Sequence, residues 1–271
     1  MRNPLNLISG IANYEITKRQ KFVLMSLFLS LVLIASQTVN ECLRYQVIGF
    51  LTMATVFLAV FSLWGELSGV KYFLLLLLPA YFVAGASLFY FLLPVRWLTR
   101  LPFAIVFGIS VYLLMLTANI YNVAAIRTIA LLRAANAVGL LFSLFSTFFL
   151  TNVLFSLHLP FYFIFVGVWF ITMPLYLVGL WSNELEDFIS KKVFLFAWVF
   201  TLLNAQMAVV LSFWPIVPIN MALVMATIMY VLLALSQFYF TGRLKPRTIY
   251  EYMSVASIVF LVIIIVTRWG A

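Results

Sequence analysis

The sequence has little charge. Only 8% of its 271 residues are Asp, Glu, Lys or Arg, where a soluble domain carries roughly a quarter. So few charges cannot cover a water-facing surface, which excludes an ordinary soluble globule. A single cysteine, Cys42, excludes a disulfide within the chain and any cysteine-based metal site. A single histidine, His158, excludes a His-rich metal site. Asp187 is the sole aspartate, so the spaced aspartates with which CDP-alcohol transferases and intramembrane prenyltransferases hold a metal on pyrophosphate are missing. Neither a Walker A loop nor an H-E-x-x-H motif occurs, which removes the residues for ATP hydrolysis and zinc proteolysis. Lys18, Lys21, Lys71, Lys191, Lys192 and Lys245 all fall at the ends of apolar runs, so none can form a mid-membrane Schiff base with retinal. The stretch Gly85 to Ser87 fits the G-x-S of rhomboid proteolysis only loosely, because His158 sits at a run end beside Pro160. No cofactor and no metal is implied.

What remains is apolar: 66% of residues are hydrophobic and the mean hydropathy is +1.17. Runs of about twenty apolar residues, enough to cross a hydrocarbon core of roughly 30 Å as helix, recur along the chain. Charges, prolines and polar clusters divide it into nine candidate spans, 22–39, 45–65, 72–93, 101–121, 128–157, 160–181, 192–213, 216–241 and 252–268. The expected fold is an all-α polytopic transmembrane helix bundle, with residues 1–271 forming one transmembrane domain. The fifth and sixth spans, and the seventh and eighth, are expected to form tight hairpins, with Pro160 and Pro218 in the first turn, where a missing N–H costs nothing. Before the first span, Leu5, Ile8, Ala12 and Ile16 lie near helical spacing, so residues 1–20 read as a short interfacial helix. The first span lacks an A-x-A cleavage site and is expected to stay.

The formal charge of +9 points to anionic lipid headgroups in such a chain, and not to nucleic acid. With the N-terminus in the cytoplasm, twelve of sixteen basic residues fall inside, and Arg44, Arg96, Arg100 and Arg268 fall outside. The positive-inside rule therefore predicts a cytoplasmic N-terminus and an external C-terminus.

The polar residues inside the runs are fewer. Arg133 lies near the start of the fifth run, where it can snorkel to the inner headgroups. At 100° per residue it shares a stripe with Asn136, Leu140, Ser143 and Thr147, flanked by Gly139 and Ser146. A second stripe, Thr201, Asn204, Ala208 and Ser212, runs along the seventh span. Small and hydroxyl residues favour helix packing, so the two stripes are expected to turn from lipid and to face each other, packing or lining a cavity. Arg127, Arg133, Lys191 and Lys192 are the candidate site for lipid phosphate, since an arginine fork suits phosphate oxygens. The competing partners are Glu184, Glu186 and Asp187, which either pair with Arg127 or Arg133 or stay solvated.

The segment "NVAAIRTIALLRAANAVGLLFSLFSTFFLTNVLFSL", residues 122–157, carries the pattern Arg-x5-Arg-Ala-x-x-Ala-Val-Gly. In this it resembles uncharacterised multipass inner-membrane proteins of small-genome candidate-phylum bacteria. The resemblance implies a bacterial inner membrane and carries over no catalytic residue.

The leading reading is a non-enzymatic membrane subunit or scaffold that contacts anionic lipid and has a membrane-protein partner. The alternatives are a transporter of small solutes or lipids, which needs a wet cavity and a helix broken near Pro79, Pro174 or Pro215, and a polyprenyl-linked glycosyltransferase-like enzyme using Glu41. In the last case Arg44, Arg96 and Arg100 would hold the pyrophosphate and His158 would assist. The orientation is tested by reporter fusions: a tag following Ala271 is expected to be active only outside, and cytoplasmic fluorescence from it would overturn both the span count and the orientation.

Overall fold

A computed structural model describes residues 17–36, 43–63, 70–94, 96–124, 131–186 and 188–267. Among the described residues there are nine α-helices and no strand: α1 Lys18–Ala35, α2 Arg44–Ser62, α3 Val70–Leu92, α4 Trp97–Ala124, α5 Leu132–Ser156, α6 Phe161–Trp181, α7 Lys191–Ser212, α8 Pro218–Phe240 and α9 Pro246–Val266. Each follows one of the nine expected spans, with shifted edges. Eight of them, α2 to α9, are long and apolar enough to cross a membrane. The exception, α1, has 18 residues and carries Lys18, Arg19 and Lys21 in its first turn. Residues 1–16, most of the expected interfacial helix, lie outside the described residues.

Prolines and caps set several edges. Pro218 and Pro246 occupy first-turn positions of α8 and α9, where no N–H is needed. Pro160 instead stands one residue earlier, as the N-cap of α6. α9 starts six residues before its expected edge because Arg247 and Glu251 are tolerated in its exposed first two turns, where they form an ion pair of 3.1 Å. Pro79 and Pro174 lie inside α3 and α6, which continue through them.

Every helix packs on its successor in the chain, so the nine run up and down in alternation. Two ends result: one holds Arg44 and the α5–α6 turn, the other Lys192 and the start of α5. Across the bundle, α5 also meets α3 and α8, α1 meets α4, and α6 meets α3 and α8. Bonds between helices add to this packing, with Ser30 Oγ donating to the Ala104 carbonyl at 2.8 Å and Tyr81 Oη to the Phe170 carbonyl at 3.1 Å. α9 packs chiefly on α8 and buries Ile263 alone.

At the heart lies a row of residues four apart on α5: Ala135, Gly139, Ser143, Thr147, Thr151 and Phe155, all buried. Its hydroxyls bond back along the helix, Ser143 to the Gly139 carbonyl at 2.9 Å and Thr147 to that of Ser143 at 2.9 Å. No donor is thereby left bare in an apolar interior. Facing it, α8 buries Met221, Met225, Met229 and Leu233, also four apart. Small side chains on one helix thus receive bulky ones from the other. Near the start of the row, Tyr121 of α4 donates to the Ala135 carbonyl at 3.0 Å. Its hydroxyl lies so close to Gly139 that a Cβ there would come within 2.5 Å of it, so a larger residue would force the two apart.

Gly139→Ala is therefore expected to cost about 1–3 kcal/mol by overpacking, against about 0.6 kcal/mol for Tyr121→Phe, the typical worth of a membrane hydrogen bond. Since the clash is with the hydroxyl, Gly139→Ala should cost less than half as much when combined with Tyr121→Phe. Unfolding in detergent micelles, run as a double-mutant cycle, measures this.

Candidate functional site

The two polar stripes turn to different helices. α5 packs on α3, α4, α6 and α8, whereas α7 packs on α6 and α8. The α5 row gives its Thr147 hydroxyl to Met229 Sδ of α8 at 2.9 Å. The α7 row turns to α6: Thr201 Oγ1 donates to Met173 Sδ at 3.5 Å and Asn204 Nδ2 donates to Tyr176 Oη. Thr201, Asn204 and Tyr176 are all fully buried. Asn204 Oδ1 has no hydrogen-bond partner, so this pair is half satisfied. Soft sulfur and phenol acceptors on α6 and α8 complete each polar row, and sequence periodicity gave no sign of them.

Arg133 departs from the stripe in which it was expected. It is exposed, and Asn136 is half-buried. Residues four apart drift by about 40° per step around a helix, so a row centred on Ser143 and Thr147 passes through Gly139 and Ala135 at the level of Arg133, on the other side of the helix. Ser143, Thr147, Thr201 and Asn204 are buried; Arg133 is not.

Of the candidate phosphate ligands, Arg127 lies outside the described residues. Arg133 stands in the first turn of α5, and Lys191 and Lys192 open α7; all three are exposed and share one end of the bundle. Ser190 caps α7, accepting from the Val193 N–H at 3.2 Å and donating to Glu184 Oε2 at 2.7 Å. Glu184 is thus engaged beside the positive end of a helix. Lys192 Nζ rests 4.6 Å from the Tyr239 ring centre and 4.5 Å from that of Phe240, within cation–π range. Among the described residues Arg133 has no ion-pair partner, and the expected pairing with Glu184 or Glu186 is absent; Asp187 lies outside them.

At the opposite end the arginines are dispersed. Arg100 is buried, donates to the Leu93 carbonyl at 3.2 Å and lies 5.3 Å from the Tyr90 ring centre, so it caps the end of α3. Arg96 is exposed, and the Arg44 guanidinium lies 5.6 Å from the Phe91 ring centre. Glu41 lies outside the described residues. Ser87 is fully buried and its hydroxyl has no hydrogen-bond partner, so no base reaches it as nucleophilic catalysis requires; His158 is exposed in the α5–α6 turn. Among the described residues no group of three or more His, Cys, Asp or Glu side chains could hold a metal.

A family described as "Protein of unknown function (DUF5656)" matches residues 187–266, which cover α7, α8 and α9. No curated protein and no solved structure matches the chain.

Tyr176→Phe and Asn204→Leu are each expected to cost on the order of 1 kcal/mol, because each leaves the other polar group alone in the core. The double variant, with both groups apolar, should recover most of that loss. Thermal unfolding of the three variants in detergent reads it.

Proposed function

We propose that the chain is a non-enzymatic subunit of a bacterial inner membrane, a single bundle over residues 1–271 with a cytoplasmic N-terminus, an external C-terminus and a membrane-protein partner. Its basic rim, Arg127, Arg133, Lys191 and Lys192, holds the phosphate of anionic lipid. One observation carries this reading: the buried polar residues along the middle of α5 and α7 are neutral and bond within or between neighbouring helices, while exposed cations collect where helices end. A bundle arranged in this way binds at its surface. Transport has less support, since α3 and α6 run unbroken through Pro79 and Pro174 and Asn204 is fully buried against Tyr176. The void bordered by Tyr121, Gly139, Ser143, Ser182 and Gln237 has a volume of about 10 Å³, room for a single water.

Each juxtamembrane cation is worth on the order of 1 kcal/mol toward an anionic surface, or about fivefold in affinity. Native mass spectrometry of the full chain is expected to show phosphatidylglycerol retained over phosphatidylcholine, with about fivefold less retained by Arg133→Ala and a larger loss in Lys191→Gln/Lys192→Gln. Equal retention by all three proteins would overturn the lipid site. Identification of what co-purifies in mild detergent tests the role itself: a stoichiometric protein supports a subunit, whereas a bound solute or a polyprenyl phosphate overturns it in favour of transport or catalysis.

A further inference from the structure

The outward side of α7 is apolar except at its centre. α7 buries Val193, Ala197, Thr201, Asn204 and Ala208 against α6 and α8. At 100° per residue, the direction opposite to this row is that of Gln206, and Gln206 is exposed. It stands six residues before the end of a 22-residue helix that is long and apolar enough to cross a membrane, hence about 9 Å inside that end. Among the described residues its amide has no hydrogen-bond partner. Val199, Leu203, Val210 and Phe213 are exposed on the same side, and a groove of about 460 Å³ beside Gln206 is walled by Phe161, Tyr162, Phe165 and Val166 of α6 and Val209 of α7. Lipid tails offer an amide neither donor nor acceptor, so in a bilayer this one is left bare unless another protein surface meets it.

We propose that this face joins two copies of the chain, α7 against α7, with the Gln206 amides of the two copies hydrogen-bonded to each other. Val199, Leu203, Gln206, Val210 and Phe213 fall four, three, four and three residues apart, the spacing with which two helices lie side by side at a crossing of about 20°. Copies of a membrane protein insert with one orientation, so a twofold axis relating them runs along the membrane normal and sets the two α7 helices parallel. Each seam residue then meets its own counterpart at the same depth. An amide carries both donors and an acceptor, so two glutamines satisfy each other. A different protein would need a polar group at this depth, whereas a second copy supplies one by symmetry. The amides also fix the register, as a lone buried amide does in a coiled coil, because sliding either helix by a turn leaves both bare. Lys191 and Lys192 lie about 21 Å along α7 from Gln206, where straight helices crossing at about 20° have separated by several ångström, so their like charges do not oppose the contact. The inference does not rest on the role proposed above, since two copies can pair whether or not lipid or a different protein is also bound.

Förster transfer between donor-labelled and acceptor-labelled full chains in phosphatidylcholine vesicles, followed as the protein-to-lipid ratio is varied, reads the association. The parent is expected to form dimers, and Gln206→Leu to dimerise about tenfold more weakly, the worth of two interhelical hydrogen bonds. A parent that stays monomeric at every ratio, or undiminished association of Gln206→Leu, overturns the proposal. Cross-linking locates the contact. With the sole native cysteine removed by Cys42→Ser, Val210→Cys and Phe213→Cys, which keep Gln206, are each expected to give disulfide-linked dimers on oxidation in membranes, whereas Ile258→Cys, exposed on α9, is not. Linkage through Ile258→Cys alone, or equally at all three positions, means a contact elsewhere or random collision and overturns the α7 seam. Photocross-linking from position 206 into a different protein overturns the second copy as its occupant.

Discussion

Hydrocarbon gives helices no hydrophobic reason to associate and no water to satisfy a bare polar group. The centre of this bundle, the α5 row, is ordered by meeting those two conditions together. Small residues let backbones approach closely, and the hydroxyls among them must bond inside the protein. The α5 row meets both: Ala135 and Gly139 give closeness, while Ser143, Thr147 and Thr151 bond back to their own helix. Methionines of α8 then fill the shallow groove, and Met229 sulfur accepts the Thr147 hydroxyl as well. A flexible, polarisable side chain suits that task.

Centrality follows from shape. A helix with one shallow face can receive several bulkier neighbours, and α5 is met by α3, α4, α6 and α8. Tyr121 of α4 uses the gap above Gly139 to reach a backbone carbonyl. Away from that gap, Phe149 joins Phe82 and Phe89 of α3 and Phe103 of α4 in one aromatic cluster. Polar closeness on one side and aromatic bulk on the other fix how α5 is turned.

Helix number was legible in the sequence because apolar length is a coarse signal that interruptions in the pattern do not erase. Edges were less so: charged residues read as boundaries, yet Lys18, Arg247 and Glu251 stand inside helices, since the exposed first two turns of a helix tolerate charge. Within the candidate site, Ser143, Thr147, Thr201 and Asn204 were legible as buried residues. Their partners were not, because Met173, Tyr176 and Met229 look like any apolar core residue until a neighbour's hydroxyl or amide points at them. Arg133 was misplaced by treating a stripe as parallel to the helix axis when a packed row winds around it.

The family match over residues 187–266 takes on meaning against this packing. It covers α7, α8 and α9, yet the polar row of α7 is completed by Met173 and Tyr176 of α6, and the methionine row of α8 by Thr147 of α5. Neither completing helix lies in the matched segment. Cut from the bundle, α7 would expose Asn204 and Thr201 to lipid without their acceptors, and α8 would lose the groove its methionines fill. The three helices are therefore no self-sufficient module: α7 and α8 need partners shaped like α5 and α6. α9 differs, since it buries Ile263 alone and rests chiefly on α8. It depends least on the rest of the chain, and its outer face is exposed along nearly its whole length.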